Sequence, residues 1–319
     1  MSFRISIAAS LVALVIAGPA AAQKNWSIGT SSTGSEPYVG GVVMANAVNR
    51  AQTKLRVSAQ TTGGYNENLV LVASGRLNMG QNTILDLEDA YLGRNKFATM
   101  PNKEMLKDLR AAFIYGGAAF HFVTRADSGI RTFADLKGRK VNLNTPATFT
   151  RGFNERLLKV LGIGMNDIQV FSISTGKHFE ALQDRVIDVG FHNYALHLAG
   201  LEQLAATTPV HLLSLPDGAF DKLNAEFNGL LKSYTIPAGT YRGQTEPSHT
   251  VFVSSVLYVH KDADADDVYT FTKAFWQEID NMAKENAGFI GMTPQLGKYP
   301  GQMPVHPGSA RFFEEKGIK

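Results

Sequence analysis

The chain has 319 residues, 44% of them hydrophobic, and its 31 basic and 28 acidic side chains leave a formal charge of +3. Such a balance, without a basic stripe, excludes the usual electrostatic footprint of a nucleic-acid or anionic-membrane partner. With no cysteine, disulfides, thiolate metal sites and a lipid-anchored cysteine are excluded too.

Arg4 precedes an apolar run over 5–18 that closes on Pro19-Ala20-Ala21-Ala22. That is the pattern of a secretory signal peptide cut near Ala22. The run falls short of the ~18 uninterrupted apolar residues a membrane span needs. Residues 23–319 are therefore expected as a free periplasmic protein, large enough for two lobes.

The first strand is expected to end in Gly29-Thr30-Ser31-Ser32-Thr33-Gly34, after Trp26 and Ile28. Helical spacing then runs through Val39, Val42, Val43, Ala47 and Val48, with Pro37 acceptable in the first turn. A hydroxyl-rich loop at a helix N-terminus suits a small anion, although an ordinary Ser/Thr cap has the same composition. Strand and helix patterns alternate onward: strand 56–60, helix 66–74, strand 77–81 and helix 84–91. Residues 93–108 read as a polar surface excursion, and strands resume at 111–115 and 119–123.

From Thr132 the rhythm restarts, with strands predicted at 140–143, 169–171, 186–191 and 210–213. Helices are predicted at 150–161, 176–184 and 195–206. A long β run over 251–259 is followed by a helix over 264–286. Alternation of this kind predicts an α/β fold with mostly parallel sheets. Extended segments near 117–124 and 250–259 are candidate crossings between lobes. The division is then 23–118 with 252–319 for a discontinuous first lobe, and 119–251 for the second.

Three further strand-to-helix loops carry polar side chains: one with Thr62 and Gly64, one with Gln81, and one over 144–150. Ligands of open α/β sheets bind beyond the carboxyl ends of the strands, so these loops point to one cleft between the lobes. Ser31, Thr33, Gly34, Tyr38, Thr62, Gly64 and Gln81 are its candidates in the first lobe. Asn144, Thr148, Thr150, Arg151, His192 and Asn193 are those of the second. Arg151 opposes the helix dipole in a first turn, which invites pairing with a ligand carboxylate or with an acid of the protein. His192 and Asn193 follow a strand expected to end at Phe191, where the histidine is either structural or a donor to a ligand oxygen. Tyr38 and Tyr115 are candidate walls of the cleft, or core.

No catalytic constellation appears. There is no His-Glu-x-x-His, no Gly-x-Ser-x-Gly elbow and no phosphate-binding Gly-x4-Gly-Lys-Ser/Thr. Neither enzyme activity, cofactor nor metal is expected. Ser31 and Ser32 have no assignable base.

Thr30 to Gly41, Thr62-Gly63-Gly64 with Glu67-Asn68-Leu69, Ser74-Gly75, the run Asp135-Leu136-Lys137-Gly138-Arg139-Lys140-Val141, Ile236 to Tyr241, and His306-Pro307-Gly308 resemble the TAXI receptors. These are solute-binding subunits of one class of TRAP transporter. The resemblance implies a two-lobed type II periplasmic-binding-protein fold with a two-strand hinge. It further implies delivery of a small organic anion, such as a dicarboxylate or glutamate, to a TRAP permease. The chain departs from the family's loops at Gly34-Ser35, at Pro37-Tyr38 and over 144–150, where Asn144, Ala147 and Phe149 replace glycines. Arg151 stands where the family often has an acid, which favours a more anionic solute. Alternatives are a receptor for an ATP-driven importer, an exported serine hydrolase acting through Ser31 or Ser32, and a surface antigen.

Overall fold

The computed structural model describes residues 23–31, 33, 35–146 and 148–318. The expected signal peptide, Ser32, Gly34 and Ala147 lie outside the described residues. Strands β1 (Lys24–Gly29), β2 (Leu55–Gln60) and β3 (Met79–Thr83) pair in parallel in the order β2-β1-β3. Helices α1 (Glu36–Arg50), α2 (Tyr65–Ala73) and α3 (Ile84–Leu92) follow them in turn. Pro37 sits in the first turn of α1, where a missing N–H costs nothing, and Ser35 caps that turn by accepting from Tyr38 N. Residues 93–108 are more than an excursion, since Phe97 and Leu106 sit in two 3-10 turns and are buried in the core.

One 17-residue strand, β4 (Leu109–Arg125), joins the two segments predicted at 111–115 and 119–123. Beyond it lie β5 (Lys140–Asn142), α4 (Phe149–Val160), β6 (Gln169–Phe171), α5 (Thr175–Gln183) and β7 (Val189–Tyr194). They are followed by α6 (Ala199–Thr207), β8 (Val210–Leu212), α7 (Ala219–Glu226) and the unanticipated β9 (Lys232–Ile236). The chain returns through β10 (Ser248–His260). It finishes with α8 (Ala265–Gln277), α9 (Ile279–Glu285), α10 (Pro294–Gly297) and α11 (Pro307–Glu315). The helix predicted over 264–286 is broken at Glu278, whose backbone leaves the helical region (φ −97°, ψ 4°) with no glycine or proline to announce it.

The sheet runs β2-β1-β3-β10-β4-β7-β5-β6 and is mixed rather than mostly parallel. β4 and β10 are antiparallel to each other and to every other neighbour, because the chain leaves one half of the molecule on β4 and comes back on β10. Beyond β4, β10 pairs with β3 over residues 255–259 and with β9 over 248–252, while β4 pairs with β7 over 119–124. Residues 117–118 and 253–254 therefore pair only with one another, which makes a two-strand neck between two α/β halves, the expected hinge. Gly117 is required in it, since a Cβ there would come 2.4 Å from both the Phe252 ring and Val253 O.

The motif residues are largely turn and packing devices. His306 caps α11, and a Cβ on Gly308 would come 2.3 Å from Ala265 O, so only glycine lets α11 lie this close to α8. Thr132 and Asp135 form a capping box in the Asp-Leu-Lys-Gly element.

Candidate functional site

In the first half, the loops after β1, β2 and β3 are braced by one buried network. Thr30 donates from N and Oγ1 to Gln60 O (3.0 and 2.7 Å) and offers its own carbonyl to Asn68 Nδ2 at 2.8 Å. The Thr62 hydroxyl lies 3.0 Å from that carbonyl and 2.8 Å from Asn68 Oδ1, and accepts from Gly64 N. Thr62 is thus spent on holding the loop. Gly64, at φ +108°, opens α2 in a conformation closed to other residues, and a Cβ there would approach Ser31 Oγ to 3.5 Å. Ser31 and Gly64 consequently face each other, Tyr38 is half-buried, Thr33 is exposed, and Gly34 lies outside the described residues. Gln81 is fully buried: its Nε2 donates to Pro37 O (3.0 Å), and its Oε1 accepts from Tyr115 OH (2.8 Å). It locks the first turn of α1 to β3 and β4.

In the second half, Asn144 takes the left-handed conformation (φ +74°) that a glycine would take, and its Oδ1 accepts from Thr145 N at 2.7 Å. Asparagine is among the few residues that tolerate this region. Thr148 caps α4 by accepting from Arg151 N (3.2 Å) and donates to Thr145 O (2.8 Å). Thr150 donates to Asn193 Oδ1 at 3.0 Å. Arg151 meets an acid of the protein: its Nε pairs with Glu155 one turn on, and Nη1 reaches Ser172 Oγ (3.1 Å) and Asn144 O (3.4 Å).

The expectation that His192 and Asn193 sit in a loop after Phe191 is corrected. β7 continues through Tyr194 because its edge pairs with β4, His192 opposite His121 and Asn193 opposite Phe120. His192 is 1% exposed, with ring nitrogens 3.0 Å from Asn142 Nδ2 and 3.4 Å from Asn144 Nδ2. Burial lowers its pKa to about 3, so it braces the 144–148 loop as a neutral ring. Behind it lie His178, with ring centroids 4.1 Å apart, and His121, hydrogen-bonded to Tyr241 OH at 3.1 Å.

A cavity of about 460 Å³ lies beside the neck, touched by both halves. Its walls include Gly116, Ala118, Leu196, Tyr234, Phe252 and Met292, and none of the residues singled out from sequence lines it. The predicted loops lie close to it along the chain: Ala195, which follows β7, lines it, and Glu36, which follows the 30–35 loop, has its Oε1 3.8 Å from where a Cβ on the lining Gly288 would sit. The segments 195–197, 232–234 and 287–292 were missed because nothing local marks them; only the Gly116-Gly117 pair inside a strand pattern was a signal. A second cavity, of about 350 Å³, separates α3 from α4, and across it Arg156 pairs with Asp89 at 3.8 Å.

Two α/β halves on a two-strand neck, with polar loops at the carboxyl ends of strands from both, define a type II periplasmic binding protein fold. Solved structures agree. The periplasmic sulfonate-binding protein SsuA of a putative sulfonate ABC transporter from Methylobacillus flagellatus KT is 10% identical, matching 93% of this chain and 96% of that one at a TM-score of 0.58. A probable amino-acid ABC transporter extracellular-binding protein, ytmK from Bacillus subtilis, is 10% identical over 84% and 98% of the two chains, TM-score 0.53. XAC2383 from Xanthomonas citri, bound to ATP, is 12% identical over 92% and 96%, TM-score 0.52. The chain belongs to the NMT1-like family, whose model matches residues 28–317.

Proposed function

We propose that this protein is an extracytoplasmic solute receptor that captures a small molecule between its lobes and delivers it to a membrane importer. The observation that carries the reading is the neck. A single pair of strands joins two halves, each with polar strand-end loops, and a cavity lies beside that pair. Closure is then favoured by a solute that touches both halves. We place the lobe limits at 118/119 and 251/252. Ser31, Thr33, Gly34, Tyr38, Gly64, Thr148 and Asn193 are proposed to face the solute. Thr62, Gln81, Asn144, Thr150 and His192 are proposed to hold the loops that present it.

An ATP-driven importer is the better-supported partner, since two of the related folds are named for ABC transporters; the ion-driven TRAP permease implied by the TAXI resemblance has no such support. The sulfonate-binding relative's name favours a periplasmic location. A dicarboxylate or glutamate was implied by the TAXI resemblance, and the charge argument that Arg151 added to it is weakened because its guanidinium is engaged by Glu155. A hydrolase reading gains nothing from Ser31, whose hydroxyl has no histidine or carboxylate partner among the described residues.

The test is a thermal-shift panel on residues 23–319, refolded to remove carried-over solute, with sulfonates, amino acids, dicarboxylates, amines and sugars. A solute at ~100 times its Kd adds about 2.7 kcal/mol and raises the midpoint by several degrees. The expected result is a shift confined to one chemical class together with contraction in solution scattering; a tight ligand without contraction overturns closure. Solute uptake that stops on ATP depletion and survives collapse of the ion gradient identifies the partner as ATP-driven. The reverse identifies a TRAP permease.

A further inference from the structure

Beside the neck cavity lies a charge that no described residue answers. Glu36 opens α1 with an exposed side chain whose carboxylate lies in the corner between Gly40 and Gly288. A methyl group on Gly40 would come 3.9 Å from its Oε1, and one on Gly288 3.8 Å; Ala287 and Gly288 line the cavity. No described residue gives this carboxylate a hydrogen bond or an ion pair. Of the other first-turn acids, Asp86 is answered by Lys96, Asp266 by Arg311 and Glu67 by Gly63 N, whereas Asp221 and Asp280 face solvent without a partner among the described residues and lie away from the cavity. Poor hydration in the corner raises the Glu36 carboxyl above the usual range, despite the helix dipole that favours a negative charge there.

The surroundings of Glu36 suit a cation. Phe289, next in the chain to Gly288, packs against Tyr115 with ring centroids 6.4 Å apart. A carboxylate at the edge of an apolar cavity attracts an organic cation by charge while the walls accept its apolar body. The adjoining cavity walls, Ile114, Ala118, Phe252, Ile290 and Met292, are apolar. An anionic solute would meet the unpaired carboxylate as a like charge.

We propose that the solute bound between the lobes carries a cationic nitrogen, an ammonium or amidinium, that docks on Glu36 while an apolar body fills the cavity beside the neck. This rests on the receptor reading above and reverses the sign of solute inferred from Arg151. Lys232 on β9 and His197 after β7, both exposed side chains that line the cavity, are the groups that offer Glu36 a different partner on closure.

The experiment titrates the protein with three probes of one shape, phenethylamine, 2-phenylethanol and phenylacetate, by calorimetry at pH 7.5. The variants are Glu36→Gln and Lys232→Met. The expected result is that phenethylamine binds at least ten-fold more tightly than the other two, that Glu36→Gln removes this preference, and that Lys232→Met leaves it. Tighter binding of phenylacetate or 2-phenylethanol overturns the proposal and leaves the receptor standing. If Glu36→Gln weakens all three probes alike, Glu36 serves closure, which also overturns charge recognition. Absence of binding by every probe, with the broader panel also silent, overturns both readings. Circular dichroism and the denaturation midpoint of Glu36→Gln separate loss of binding from loss of fold.

Discussion

Asn144 shows how a side chain can occupy a position built for glycine. At φ +74° an alanine carries the left-handed penalty that asparagine and glycine avoid. Asn144→Ala is therefore expected to lose about 1–2 kcal/mol in urea unfolding, and Asn144→Gly to lose less. Asn68 is the buried knot of the first-lobe loops, bonded to Thr30 O and the Thr62 hydroxyl. Asn68→Ala removes both of these buried bonds, leaving Thr30 O and the Thr62 hydroxyl to each other, and is expected to cost about 1–2 kcal/mol, read from the same transition. Arg151 makes the opposite forecast: with its guanidinium on Glu155, Arg151→Gln should leave solute affinity unchanged and shift stability by less than about 1 kcal/mol. A calorimetric titration with whichever solute the panel identifies checks this, and a ten-fold loss of affinity restores Arg151 to the site.

Among elements, the loop-to-helix junctions were the most legible, because Ser35, Thr83, Thr148 and Asp264 announce helix starts by chemistry that acts locally. The ends of β7 were not legible. His192 and Asn193 look like loop residues by type, and they are strand because β4 supplies the partner edge. Whether a polar residue lies in a loop or a ladder is decided by hydrogen bonds to segments 70 residues away. β4 itself makes a testable case at Gly117, where the close approach of Phe252 and Val253 leaves no room for a side chain. Gly117→Val is expected to cost more than about 2 kcal/mol by denaturant midpoint, through strain in the neck.

Over the whole molecule, the second lobe is built around three buried imidazoles. Burial lowers the pKa of His121 to about 4 and of His192 to about 3, and holds His178 well below its ordinary value. The unfolded chain titrates them near 6.5, so between about pH 6.5 and 4 it binds more protons than the folded one. Stability is full above pH 6.5 and falls as pH drops through this window, by up to about 1.4 kcal/mol per unit per histidine. Glu36 and Asp86, whose carboxyls are raised by desolvation, act in the opposite sense, so the histidine contribution is read as a difference between variants. His178→Leu, which removes two buried ring nitrogens without hydrogen-bond partners, is expected to keep or raise stability at pH 7.5 and to flatten the decline towards pH 4.5. Urea midpoints at the two pH values check it, and an unchanged slope contradicts it.

The sequence by itself determined the alternation of strands and helices, the capped loops at strand ends, the crossing segments and the two-lobed class. Each of these follows from periodicity and turn chemistry, which act over a few residues. The family motifs were legible for the same reason: Gly64, Gly75 and Gly138 hold positive φ, and Gly308 admits a close helix. Such residues specify the fold and say little about the solute. Only the tertiary structure decided which polar side chains are spent internally, as Gln81, Thr62, Arg151 and His192 are, and which stay unanswered, as Glu36 does. That distinction depends on partners brought together from across the chain, so no local pattern carries it. The cavity was invisible for the same reason, being assembled from β4, β9, the turn after β7 and the 287–292 segment.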